Sequence, residues 1–235
     1  MRHAMILAAG RGERMRPLTD HTPKPLLICQ GKPLVQWHLE NLAAAGFTHV
    51  VINVAHLGEQ IQQHLGSGEQ FGLSIRYSVE PPGALETAGG IATAQPWLDE
   101  KGDAHDVPFL VMNGDVFTDW CASQAAALAA DLTAHQALAS LVLVKNPEHH
   151  PQGDFQLAQT PGWVAAKAAD NSLTFSGIGV YHRSMFSHLS PGSAAPLAPL
   201  LHRAISEQKC RGIFHSGQWT DVGTPERLHA LNHAL

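Results

Sequence analysis

The chain has 235 residues, a formal net charge of −5, a charged fraction of 15% and few aromatic residues. That is long enough to bury one sizeable hydrophobic core, and nothing in the composition suggests disorder. An acidic balance without any Lys/Arg run argues against a nucleic-acid partner, while three widely separated cysteines (Cys29, Cys121 and Cys210) argue against a disulfide framework or a cysteine zinc site.

The apolar run from Ala4 to Ala8 reads as a buried strand. Directly behind it stands Ala9-Gly10-Arg11-Gly12-Glu13-Arg14-Met15-Arg16-Pro17-Leu18-Thr19, and then Pro23-Lys24-Pro25. Gly10 and Gly12 let the backbone turn sharply and offer bare N–H groups to anionic oxygens, and Arg14, Arg16 and Lys24 supply matching charge. This is how a protein holds a polyphosphate. It is not a P-loop, which requires Gly-Lys-Ser/Thr after four intervening residues, and it is not a dinucleotide fingerprint, because Met15 stands where the third glycine belongs. Arg11, Glu13 and Arg14 also interrupt the apolar run too early for a signal peptide or a membrane span, so the expected location is the cytoplasm, with no membrane partner.

Further along, β and α patterns alternate. Pro33 opens a helix through Ala45 that Gly46 stops, Val50 to Val54 is a strand, Leu57 to Leu65 a helix, Ser74 to Val79 a strand, and another helix follows Thr87. Phe109 to Met112 is a short apolar strand, Ser123 to His135 an Ala-rich helix, and Leu138 to Val144 a strand. Glycines and prolines between Asn146 and Phe175 suggest excursions from the sheet. Gly177 to His182 returns as a strand, Leu197 to Gln208 is a helix, and Pro225 begins a terminal one. The alternation predicts a Rossmann-like three-layer α/β/α fold with a mostly parallel central sheet, whose ligands bind at the carboxyl ends of the strands. Without a linker or an internal repeat, residues 1–235 read as a single domain.

Two carboxylates stand out. Asn113-Gly114-Asp115 ends a buried strand, and a carboxylate there, beside a phosphate-binding turn, is placed to hold Mg²⁺. The same string also suits an ordinary turn. Near the end, Trp219-Thr220-Asp221-Val222-Gly223-Thr224-Pro225 could equally be the start of a helix capped by Asp221 or Thr224. The sixteen histidines are scattered, and His149-His150 reads as a solvated loop with no metal spacing and no neighbouring carboxylate.

Taken in order, these motifs resemble those of the sugar-1-phosphate nucleotidylyltransferases, from Leu7 to Pro225. The opening follows that family's Gly-x-Gly-x-Arg-x-x-Pro-x-Thr signature at Gly10, Gly12, Arg14, Pro17 and Thr19, with Lys24 in its Pro-Lys-Pro-like element. The resemblance implies that Asp115 and Asp221 hold Mg²⁺, and that Ala9, Gly10, Gly12, Glu13, Arg14, Lys24, Glu80, Asn113 and Asp221 contact the nucleotide, with Arg14, Lys24 and Asp115 in catalysis. In Tyr77 to Gly90, which looks like the base-recognition segment, Glu80 stands where Gln is common and Glu86 replaces the usual Gly. A carboxylate can accept from the N3–H of uracil but cannot donate to its carbonyls. Gly153-Asp154-Phe155 resembles the glycine-led strand next to the sugar, so Gly153 and Asp154 are expected there. The Glu-Lys-Pro element that grips the sugar phosphate is reduced to Ala165-Ala166-Lys167-Ala168.

Among members, the compact size, Leu85-Glu86-Thr87 and Leu173-Thr174-Phe175-Ser176-Gly177 most resemble the uridylyl-transferring enzymes of bacterial cell-wall recycling. The implied substrates are UTP and a sugar 1-phosphate, handled by a monomer or a dimer. Guanylyl transfer to mannose 1-phosphate is the alternative, and a non-catalytic nucleotide-sugar sensor is an alternative of another class.

Overall fold

Strand β1 (His3–Leu7) lies in the interior of the sheet, which has seven strands among the described residues, and its alternation shows why. Ala4 and Ile6 pack into one hydrophobic cluster and Met5 into another on the opposite face, so both sides of the strand are covered. A computed structural model describes residues 2–81, 85–98, 107–167 and 171–233. Pro82, Gly83 and Ala84 of the expected base-recognition segment, and Ala168 beside Lys167, lie outside the described residues.

The elements follow as a short hairpin, β2 (Ile28–Cys29) and β3 (Lys32–Pro33), then α1 (Leu34–Ala44), β4 (His49–Val54), α2 (Gly58–Leu65), β5 (Ser74–Val79) and α3 (Glu86–Ala94). Next come β6 (Phe109–Asn113), β7 (Val116–Thr118), α4 (Ala125–Ala134), β8 (Ala139–Val144), β9 (Phe155–Leu157), β10 (Val164–Ala166) and β11 (Thr174–Tyr181). The chain continues through α5 (Leu197–Ser206), β12 (Cys210–Phe214), β13 (Trp219–Asp221) and α6 (Pro225–His233).

The large sheet runs β12-β8-β11-β6-β1-β4-β5, and every neighbouring pair is parallel except those made by β11. Residues of α1, α2 and α4 (Val35, Leu39, Ile61, Leu128) fill one face, and residues of α3 and α5 (Ala88, Ile91, Leu201) the other. The three-layer α/β/α arrangement and the mostly parallel sheet are therefore both present. Each fully buried Leu, Ile or Phe contributes roughly 1.5–3 kcal/mol against exposure, and the two clusters hold the sheet between its helix layers. A third cluster, built on Met15, Leu34, Phe117, Val222 and Leu228, binds α6 and β13 to the first hairpin. Among the described residues no helix is long and apolar enough to cross a membrane.

The sequence boundaries shift where local chemistry competes. The helix expected from Ser123 begins as a 3-10 turn at Ala122–Gln124 and becomes α-helical only at Ala125. The strand expected at Gly177 starts at Thr174, because a bulge between Phe175 and Gly179 lets β11 pair with β8 on both sides of an irregular stretch. The pairing of β7 with β13 carries no periodic signal in strands of three residues, and the sequence reading missed it.

Candidate active site

At the end of β1 the chain leaves the sheet and is caught at once. The Ala8 N–H donates to Asn53 Oδ1 at 2.8 Å, and Asn53 Nδ2 donates to Glu80 Oε1 at 2.7 Å. Asn53 is the penultimate residue of β4, and Glu80 directly follows β5, so three adjacent strand ends are linked by one buried polar chain. Buried polar groups persist only with partners, and here each supplies the next. Gly90 on α3 makes room, since a Cβ there would stand 2.7 Å from Glu80 Oε1.

The glycine turn then folds over Lys24. Gly12 has φ +68°, in the left-handed region, and a Cβ on it would meet Thr19 Cγ2 at 3.0 Å and Lys24 Cβ at 3.4 Å. Thr19 Oγ1 donates to the Gly12 carbonyl at 2.8 Å and closes the turn. Lys24 is thereby 8% exposed, and its ammonium lies 2.5 Å from Asp115 Oδ2.

Asp115 follows β6 in the tight turn that Gly114 allows. The Gly114 N–H donates to the Leu7 carbonyl at 2.8 Å, and a side chain there would strike that same oxygen. The Asp115 carbonyl accepts the Val222 N–H at 2.9 Å, continuing the β7–β13 pairing in which Asp221 faces Val116. Two carboxylates 106 positions apart in sequence are thus brought together, Asp221 at the end of β13 and Asp115 in the turn that leads into its partner strand β7. Arg227, in the first turn of α6, donates to Asp221 Oδ2 at 2.7 Å, to the Asp221 carbonyl at 3.0 Å and to His149 Nε2 at 2.8 Å.

Three cavities meet around these groups. One, of about 230 Å³, is bordered by Ala8, Ala9, Gly10, Lys24, Glu80 and Asp115. A second, of about 420 Å³, holds Asp115 and Asp221 together with Arg14, His149 and His150. The third, of about 660 Å³, is lined by Asp154, Phe155, Lys167, Phe175 and His202. Asn113 borders all three. The β11 bulge explains its place, because a Cβ on Gly177 would stand 2.6 Å from the Asn113 side chain.

Asp115 and Asp221 suit a small divalent cation. Both are carboxylates on one cavity, each with lone pairs beyond those taken by Lys24 and Arg227. Among the described residues no three His, Cys, Asp or Glu side chains converge. Mg²⁺ asks for only one or two protein carboxylates, with water and substrate phosphates completing its oxygen shell.

Other expected residues fall elsewhere. Gly12 and Glu13 border none of the three cavities. Gly12 shapes the turn, and the exposed Glu13 carboxylate pairs with Arg11 at 2.9 Å. Gly153 does not line the third cavity either. Its φ of +56° and its approach to Asn146 and Leu173 make the turn that presents Asp154. Asp154 faces that cavity, with Oδ2 accepting the Phe175 N–H at 2.9 Å. Lys167 reaches the same cavity, its Nζ 3.4 Å from the Gly153 carbonyl.

The reading of His149-His150 as a solvated loop without a carboxylate neighbour is corrected. His150 Nε2 lies 3.0 Å from Asp154 Oδ1, and His149 Nε2 lies 3.7 Å from Asp221 Oδ2. Partial burial first, and then the Arg227 charge, lower the His149 pKa and favour the neutral ring that can accept from Arg227. Sequence reasoning also missed Asn53 and Arg227. A polar Asn inside the apolar run from Val50 to Val54 was a usable signal for the first, whereas nothing local marked Arg227.

A family model described as Nucleotidyl transferase matches residues 3–235. The chain belongs to the nucleotidyl transferase family. It is 52% identical to a protein of Neisseria meningitidis serogroup B named N-acetylmuramate alpha-1-phosphate uridylyltransferase, over 96% of this chain and 94% of that protein. A Caulobacter vibrioides protein of the same name is 32% identical, over 99% of this chain and 96% of its own length. Among solved structures, one described as a putative glucose-1-phosphate thymidylyltransferase from Bacillus anthracis in complex with a sucrose superposes with a TM-score of 0.81 at 22% identity. It covers 99% of this chain and 94% of that one, and at that identity it speaks for the fold alone. Family membership and fold agree with the resemblance read from the motifs.

Proposed function

We propose that this chain, as a single nucleotidyltransferase domain, transfers a uridylyl group from UTP to N-acetylmuramic acid α-1-phosphate in the recycling of bacterial cell wall, releasing pyrophosphate. The observation that carries the transfer chemistry is the convergence of Lys24, Asp115 and Asp221 where two cavities meet at the strand ends. The choice of base and sugar rests on the two relatives that share the uridylyltransferase name over nearly their whole length.

In this reading the first cavity takes the nucleotide, with Glu80 accepting the uracil N3–H and the backbone at Ala9 and Gly10 facing the phosphates. The third takes the sugar, with Asp154 toward its hydroxyls and Lys167 toward its phosphate. An anomeric phosphate oxygen attacks the α-phosphorus in line, the bond to the β-phosphate bridging oxygen breaks, and pyrophosphate leaves. A phosphate monoester is already anionic, so no strong base is needed. The protein has to offset repulsion between anions and align them. Lys24 neutralises the α-phosphate and the incoming phosphate, and Arg14 holds the departing pyrophosphate. Mg²⁺, held by Asp115 and Asp221, would add charge neutralisation at the same phosphates. The expected site of action is the cytoplasm, where UTP is available.

The test is a matrix of UTP, GTP, CTP and dTTP against N-acetylmuramic acid, N-acetylglucosamine, glucose and mannose 1-phosphates, scored by pyrophosphate release. The highest kcat/KM is expected for UTP with N-acetylmuramic acid 1-phosphate. Preference for GTP with mannose 1-phosphate would move the assignment to guanylyl transfer, and no turnover with any pair would favour a sensor.

A further inference from the structure

Glu86 opens α3 with φ +56°, a left-handed conformation that is sterically costly for any residue with a Cβ. Among the described residues, four other non-glycine positions share a positive φ. Gln30 sits in the tight β2–β3 turn, and Gln136 and Gln208 follow helix ends, where such a residue is ordinary. Leu57 and Glu86 instead open helices, and of these two only Glu86 borders the cavities of the site. It lies on the wall shared by the first and third cavities, beside Thr87 and Asn113. Among the described residues its carboxylate has no hydrogen-bond or ion-pair partner.

We propose that Glu86 is a specificity-determining residue, whose carboxylate accepts a hydrogen bond from an uncharged O–H or N–H donor of the substrates at the wall between the nucleotide and sugar cavities. The inference rests on the uridylyl-transfer reading of the same site. A glycine would relieve the backbone at this position, so the glutamate stands there at a cost to the fold. An ionised carboxylate is an acceptor only, and it repels phosphate. Its partner is therefore a neutral donor, and the phosphates are directed to the Lys24 side of the cavity. The donor belongs either to the sugar (a ring hydroxyl or the acetamido N–H) or to the ribose of the nucleotide, since both substrates reach this wall.

The experiment compares wild type, Glu86→Gly and Glu86→Gln by thermal unfolding and by steady-state kinetics with UTP and N-acetylmuramic acid 1-phosphate. Glu86→Gly is expected to melt at or above the wild-type temperature, by up to about 2–4 °C, while kcat/KM falls roughly tenfold or more from the lost charged acceptor. Glu86→Gln, whose amide oxygen still accepts, is expected to lose less. A rise confined to the sugar KM places the donor on the sugar, and one confined to the UTP KM places it on the ribose. Stability and activity moving in opposite directions is a signature that a structural role would not produce. Unchanged kcat/KM in Glu86→Gly, or a melting temperature that falls by several degrees along with activity, overturns the proposal. Turnover by wild type that Glu86→Gly matches removes this inference alone, whereas a wild type inert toward both substrates removes the uridylyl-transfer reading and this inference with it.

Discussion

The ammonium of Lys24 lies 2.5 Å from Asp115 Oδ2, although the two residues are 91 positions apart in the chain. The glycine turn buries the lysine stem, and the turn at Gly114 aims the carboxylate at it, so the fold itself brings a cation and an anion to the junction of two cavities. Asp221 joins them through the β7–β13 pairing, held in turn by Arg227.

The two carboxylates are expected to be indispensable as charges and dispensable for folding. Asp115→Asn and Asp221→Asn should each slow turnover by several orders of magnitude while far-UV circular dichroism and melting temperature stay near wild type. Loss of a cation ligand removes several kcal/mol of transition-state charge stabilisation. Wild type in excess chelator should show the same loss, and full turnover in any of these three cases would rule out the metal assignment.

Lys24 and Arg14 should separate kinetically. Lys24→Ala is expected to lower kcat in the forward direction, because the lysine faces the reacting phosphates. Arg14→Ala is expected to weaken UTP binding and to raise the pyrophosphate KM in the reverse reaction. Equal and small effects on all three quantities would make both residues ordinary surface cations.

Base selection is expected to run through Glu80, whose Oε1 is fixed by Asn53 at 2.7 Å. UTP and dTTP both present an N3–H to the carboxylate, whereas CTP presents an unprotonated nitrogen. Opposed, unpaired buried acceptors cost on the order of 1–3 kcal/mol, so the UTP/CTP ratio of kcat/KM should be at least tenfold and should shrink in Glu80→Gln. A ratio that does not change with that substitution assigns base reading to another group.

A pH dependence of stability should come from His38. It lies in α1, 2% exposed, with Nε2 lacking a partner among the described residues. Burial pushes its pKa down to about 4, against a backbone hydrogen bond to Val116 and the charge of Asp115. Between the unfolded value near 6.5 and about 4, the unfolded chain binds the proton that the folded one refuses, so stability falls as pH falls through that window. The loss should approach the order of 3 kcal/mol at its acid end. Urea titrations of wild type and His38→Gln at pH 7 and pH 4.5 should show a smaller acid loss in the variant, and parallel losses would place the dependence elsewhere.

Much of this architecture was legible in the sequence because its central strands are short apolar runs bounded by glycine and by helical patterns. Asp115 and Lys24 were legible because strand end, glycine turn and charge follow one another within a few residues. His149, Arg227 and the β7–β13 pairing were not, because they meet only through contacts far apart in the chain, and strands of three residues have no period to read. Glu86 is an intermediate case. Its departure from the glycine usual in the family that the motifs resemble was an expectation of that resemblance, but the left-handed backbone that gives the departure physical meaning is a property of the fold.

The most direct test of uridylyl transfer is pyrophosphate release by the purified protein supplied with UTP, N-acetylmuramic acid α-1-phosphate and Mg²⁺, with mass-spectrometric detection of the product. Stoichiometric UDP-N-acetylmuramic acid and pyrophosphate are expected, abolished by chelator and reduced by orders of magnitude in Asp115→Asn. Absence of that product from wild type, or its undiminished formation by Asp115→Asn, would contradict that expectation.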